Sequence, residues 1–198
     1  MNLRHGSRLL LLALVLIGPA WGAENPRVRM RTEMGDIWIE VDLKRAPITA
    51  ANFLRYVDEG RFEGALFYRV VTMENQPDND VKIEVIQGGL GRTPSPSRLD
   101  PIFHETTDQT GIRHRDGTIS MARSAPGSAS SEFFICIGDQ PELDFGGRRN
   151  PDGQGFAAFG RVIQGMEAVH RIQRQPADRQ MLFTPVKIIS IQRVREAP

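Results

Sequence analysis

With 198 residues, the chain has the length of one domain carrying a core of its own. Its 25 Lys and Arg stand against 24 Asp and Glu, and a formal charge of +1 offers no general field to a polyanion, so nucleic acid is not an expected partner. The single cysteine, Cys136, excludes an internal disulfide, and its place in the apolar run 133–137 marks it as a buried, inert side chain.

Residues 1–22 read as a secretory signal peptide. Arg4 and Arg8 come first, residues 9–17 are apolar, and Pro19-Ala20-Trp21-Gly22-Ala23 supplies the small-residue cleavage pattern. The apolar run has nine residues where a spanning helix needs roughly 20, so cleavage with no lasting membrane attachment is expected. A cut after Gly22 removes two arginines and no carboxylate, leaving residues 23–198 as a single domain of formal charge −1.

Residues 28–32 and 37–41 alternate apolar and polar residues around Glu33-Met34-Gly35-Asp36, which predicts a β-hairpin with one buried face. Pro47 then opens a helix. Thr49 is its candidate N-cap, Ala50, Phe53, Leu54 and Val57 form its apolar face, and Gly60 stops it. Strands are expected over 65–71, 81–87, 117–121, 132–137 and 156–162, with a Thr/Pro/Ser surface loop at 91–101. A second amphipathic helix over 166–173 presents Met166, Val169 and Ile172, and residues 186–194 form the last strand. Pattern alone therefore gives a mostly β chain with two helices.

After cleavage three histidines remain, His104, His114 and His170, widely spaced and without an acidic cluster, so neither a metal site nor a cofactor is expected. There is no Gly-x-Ser-x-Gly motif, and no histidine falls in the segments singled out below, which disfavours a hydrolase. The basic pair Arg148-Arg149 beside Gly146-Gly147 reads as a solvated loop.

Three segments carry the chemical information. Arg69 lies within Phe67-Tyr68-Arg69-Val70-Val71; by itself it is either an outward strand arginine or one held at a polar site. Gln87 precedes Gly88-Gly89, where a strand enters a turn. Ser120-Met121-Ala122-Arg123 leads on to Glu132-Phe133-Phe134-Ile135-Cys136. Neighbouring aromatics on a strand face opposite ways, so one of Phe133 and Phe134 is core, and the residues alone do not choose.

Taken in this order, and with residues 159–166 (Phe-Gly-Arg-Val-Ile-Gln-Gly-Met), these segments resemble the cyclophilin family of peptidyl-prolyl cis-trans isomerases over most of residues 28–194. The resemblance implies a closed, antiparallel, eight-stranded barrel with two capping α-helices. It implies an isomerase acting on X–Pro bonds of unfolded or partly folded exported proteins, as a cofactor-free monomer in the periplasm. A barrel that holds proline-containing peptides with little or no turnover, as a chaperone module, is the alternative.

By the same resemblance Arg69 is catalytic and Gln87 binds substrate beside it. Ala122 and Arg123 flank the peptide's path, and Phe134 floors a proline recess walled by Leu143 and Val85. Four departures from the family accompany it. The interval from Arg69 to Gln87 is lengthened by polar, turn-rich text around residues 74–80. Glu132 replaces a glutamine at a substrate-binding position, and a pairing with Arg69 or Arg123 is expected of it. Phe156 replaces a histidine at the recess edge. Glu142 stands where many members carry a tryptophan, which implies weak inhibition by cyclosporin.

Overall fold

The computed structural model describes residues 24–91 and 93–194, so the expected signal peptide lies outside the described residues. The alternation read in the first hairpin makes β1 (Arg27–Thr32) and β2 (Gly35–Val41), in which Val28 faces Ile39 and Met30 faces Ile37, all wholly buried. The chain continues through α1 (Pro47–Asp58), β3 (Leu66–Val71), β4 (Val85–Gly89), α2 (Thr107–Thr110), β5 (Thr118–Met121) and β6 (Phe133–Cys136). A 3₁₀ turn (Pro141–Leu143), β7 (Ala157–Gln164), α3 (Met166–Gln173), β8 (Ala177–Asp178) and β9 (Met181–Val194) complete it.

The strands pair antiparallel in the order β1-β2-β7-β5-β6-β4-β3-β9, and β1 pairs with β9 to close the ring. Closure leaves these eight strands without an open edge, and the two-residue β8 is an appendage on β9. Inside, Phe53 of α1 packs on Phe159 with ring centroids 5.0 Å apart and meets Phe133 edge-on at 5.8 Å. The predicted face of α1 (Ala50, Phe53, Leu54, Val57) is buried throughout, and α3 adds Val169 and Ile172 to the same core.

Four expectations need correction. Thr49 does not cap α1; Ala46 is the N-cap residue, with no side-chain bond of its own. The distant Glu105 carboxylate does that work, accepting from the N–H of Ile48 (3.1 Å) and of Thr49 (2.7 Å) and from the Thr49 hydroxyl (2.7 Å). A negative group there satisfies exposed N–H donors and opposes the helix dipole. The short α2 is a third helix beyond the two expected. β9 begins at Met181 instead of 186, because it folds back on β8 as a hairpin.

Finally, β4 begins at Val85 instead of 81, since β3 ends at Val71 and leaves residues 81–84 no strand partner from it. The side chain of Gln76 substitutes for one at Ile83, donating to its carbonyl (2.8 Å) and accepting from its N–H (3.3 Å). Gly88 and Gly89 let β4 lie close to its neighbours. A Cβ at Gly88 would stand 2.6 Å from the Leu66 carbonyl oxygen, and Gly89 has φ +142°.

Candidate active site

The site lies on the outer face of the barrel wall. Val70, Ile86, Phe133 and Ile135 belong to the interior, so the residues alternating with them point outward. There a second apolar cluster forms from Val71, Ile83, Val85, Phe134, Cys136 and Leu143, with Ala122 and Phe156 packed on it. This answers the question the sequence left open: Phe133 is core and Phe134 faces the cavity. Cys136 is wholly buried in the cluster, and burial holds its thiol pKa well above the ordinary value.

Strand register brings distant segments into one row. Met181 pairs with Arg69, Arg69 with Gln87, Gln87 with Phe134, and Phe134 with Ser120, so five strands contribute to a single line across the sheet. Between Phe67 and Arg69 the register shifts against β4, because Tyr68 is one residue more than β4 matches. Such a bulge re-aims side chains. Here it leaves Tyr68 and Arg69, consecutive in sequence, both lining one cavity of about 1150 Å³.

Arg69 is held by a chain of hydrogen bonds. Its Nη1 donates to Gln87 Oε1 at 2.6 Å, while Nε and Nη2 donate to Gln180 Oε1 at 3.0 and 2.6 Å. The Gln87 amide donates onward to the Tyr68 hydroxyl (2.9 Å), which donates to Glu132 Oε2 (2.5 Å). Burial, then the Glu132 carboxylate, raise the Tyr68 pKa, so the phenol keeps its proton. Because the Gln87 oxygen accepts from a guanidinium, its nitrogen must point to Tyr68, and the amide orientation is determined.

Glu132 has partners beyond those expected of it. Besides Tyr68, its carboxylate accepts from Ser131 (2.8 Å) and pairs with Arg98 at 3.7 Å; one link to Arg69 runs through Tyr68 and Gln87. Arg123 is committed elsewhere. Its guanidinium grips Asp152 at 2.7 and 2.9 Å and the Gly155 carbonyl, and lies over the Phe156 ring at 5.2 Å. The hydrogen bond from Arg123, then that from the Gln154 N–H, pull the Asp152 pKa down to about 2.

Phe134 is clamped from two sides. The His114 ring stacks on it at 5.9 Å and Phe156 meets it edge-on at 5.2 Å. Behind it, His114 Nδ1 lies 2.8 Å from Asp144 and Nε2 2.9 Å from the Ser120 hydroxyl. Burial keeps the His114 pKa below its usual value despite Asp144, so the ring is neutral, with Nδ1–H donating to Asp144 and Nε2 accepting from Ser120. A Ser-His-Asp string therefore backs the groove, although the sequence placed no histidine near it. Ser120 is wholly buried, so the string supports the recess floor and presents no nucleophile to a substrate.

All of the residues assigned from sequence, Arg69, Gln87, Ala122, Arg123, Glu132, Phe134, Leu143, Val85 and Phe156, line this one cavity. Sequence reasoning missed Tyr68, His114 and Gln180. Gln180 sits in the turn of the β8–β9 hairpin, 111 positions from Arg69, in a segment with no strand-like signal.

The family model for cyclophilin type peptidyl-prolyl cis-trans isomerases matches residues 27–193. A peptidyl-prolyl cis-trans isomerase of Acinetobacter baylyi is 35% identical over 192 residues, spanning 91% of this chain and 94% of its own. Peptidyl-prolyl cis-trans isomerase B of Escherichia coli is 35% identical over 150 residues, spanning 74% and 83%. Among solved structures, a cyclophilin type isomerase of Cryptosporidium parvum, crystallised in the presence of the dipeptide Ala-Pro, superposes with a TM-score of 0.65. It is 22% identical and covers 86% of this chain and 99% of its own, a likeness of fold.

Proposed function

The chain belongs to the cyclophilin-type peptidyl-prolyl cis-trans isomerases, and from that premise we propose that it speeds X–Pro rotation in exported proteins by electrostatic stabilisation of the twisted imide. An X–Pro bond isomerises over tens to hundreds of seconds because amide resonance opposes twisting. Twisting uncouples the nitrogen lone pair from the carbonyl, so the imide nitrogen becomes a better hydrogen-bond acceptor than it is in the planar state. A guanidinium that is permanently charged and already oriented favours that state over the planar one without transferring a proton.

The observation that carries this reading is Arg69, pinned by Gln87 and Gln180 in the same cavity as the apolar recess of Phe134, Leu143 and Val85. The recess holds the proline ring while the preceding carbonyl swings past Arg69. Gln87 and the chain around Ala122 and Arg123 position the peptide. A protease-free isomerisation assay on residues 23–198 tests this. Catalysed exchange lost in Arg69→Ala supports it, and equal rates in the two proteins contradict it. Peptide binding without catalysed exchange in the natural chain would make it the chaperone module instead.

The signal-like text of residues 1–22 supports work in the periplasm. N-terminal sequencing of protein from a periplasmic extract should begin at Ala23; recovery from the cytoplasm with Met1 intact contradicts export.

A further inference from the structure

Two loops meet over one end of the cavity. The first, residues 72–84, is the lengthened interval between β3 and β4. Besides its bonds to Ile83, the nearly wholly buried Gln76 donates to the Thr72 carbonyl at 2.7 Å. Asn75 accepts from the Thr72 N–H (2.9 Å) and donates to the Val70 carbonyl (3.0 Å), so the loop is a tied wall. The second loop, residues 144–155, is gripped by Arg123 through Asp152 and Gly155. Arg149 joins the two, its Nη1 donating to the Val81 carbonyl at 2.5 Å.

The basic pair read from sequence as a solvated loop is thereby split. Arg148 is exposed and paired with Glu142 at 3.0 Å. Arg149 is half-buried, lines the cavity, and has no ion pair among the described residues. Burial draws its pKa below the usual arginine value, with no carboxylate opposing that shift. Beside it, Asn150 Nδ2 is buried without a hydrogen-bond partner among the described residues. Five guanidiniums and two carboxylates, Asp78 and Glu132, line the cavity among the described residues. It is therefore biased toward anions.

The cavity, at about 1150 Å³, exceeds the roughly 300–1,000 Å³ that takes a drug-sized ligand, so a seated proline leaves room for its neighbours. We propose that Arg149, with Asn150 beside it, is a specificity-determining subsite that selects an acidic side chain flanking the substrate's proline. This rests on the isomerase reading of the same cavity. A carboxylate entering there gains a planar, charge-assisted donor pair in a partly desolvated setting, and a lysine meets a like charge.

The test is a panel of proline peptides carrying Glu, Gln or Lys at each flanking position, with turnover read by exchange NMR and binding by titration. At one position Glu should exceed Gln about fivefold in kcat/KM, with Lys below Gln, and the preference should shrink as salt rises. In Arg149→Gln the Glu-to-Gln ratio should fall to about one while the Gln peptide keeps its turnover within about twofold. Arg149→Lys, which keeps the charge, should retain part of the preference, and Arg149→Glu should reverse it. An unchanged ratio in Arg149→Gln, loss of the preference in Arg149→Lys, or no preference in the natural chain overturns the proposal. If no peptide turns over, the isomerase reading fails on its own, and the titration with Glu and Gln peptides still decides the subsite.

Discussion

Phe133 and Phe134 are adjacent in sequence and stand on opposite faces of one strand. Phe133 faces a closed interior, edge-on to Phe53, Phe62 and Phe67 at 5.7–5.8 Å. Phe134 faces a shallow cluster of few residues, with neutral His114 behind it and the Arg69–Gln87–Tyr68–Glu132 chain alongside. The interior is large, apolar and non-directional; it holds the fold. The outer cluster is small and framed by directional hydrogen bonds, so it holds a geometry. One barrel wall thus keeps stability and chemistry apart.

The widest separation should come from truncating each ring. Phe133→Ala should cost about 3–5 kcal/mol in denaturant unfolding, because the cavity it leaves is enclosed. Phe134→Ala should cost clearly less and instead raise KM for proline peptides. Equal losses of stability with unchanged KM would break the comparison.

Gln180 probes the polar frame alone. Gln180→Ala removes the acceptor for two Arg69 nitrogens and should lower kcat about tenfold, with KM and melting temperature nearly unchanged. A rise in KM at constant kcat would make Gln180 a binding residue instead.

The pH dependence of stability sharpens the contrast further. Burial lowers the folded pKa of both His114 and His104 below 6.5, so the unfolded chain takes up protons first as pH falls. Stability should therefore be full above pH 6.5 and decline below it, by at most about 1.4 kcal/mol per pH unit for each histidine. His114→Gln should flatten part of that slope in urea titrations at pH 5 and 7; an unchanged slope would mean that His114 takes up its proton alike in the folded and unfolded chains. The smallest effect is expected of Glu132→Gln, whose amide oxygen can still accept from Tyr68. Activity should stay within about threefold, and abolition would contradict Glu132's supporting place in the chain.

Much of this was legible where local pattern and final environment agree. The β1–β2 hairpin and the apolar face of α1 follow from periods of two and of 3.6, because each has one buried side. What was hidden depends on register and on long-range partners. Period two states that Phe133 and Phe134 oppose each other, and the barrel's closure decides which one is inside. Gln180 reaches Arg69 from a two-residue hairpin that lacks any apolar alternation. Arg149 looked solvated because Gly and Arg make loop text, and it takes the lengthened 72–84 loop to cover it. Residues 81–84 look like strand, yet a single glutamine side chain occupies the backbone groups of Ile83 that strand pairing would use.

The central claim is that Arg69 favours the twisted imide more than it favours the bound peptide. Exchange NMR on one proline peptide at saturating protein reads both quantities, the on-enzyme interconversion rate and the dissociation constant, for the natural chain and Arg69→Ala. The account predicts an interconversion rate lower by about a hundredfold or more in the variant, with affinity altered by no more than about threefold. An unchanged rate, or a loss explained wholly by weaker binding, would contradict it.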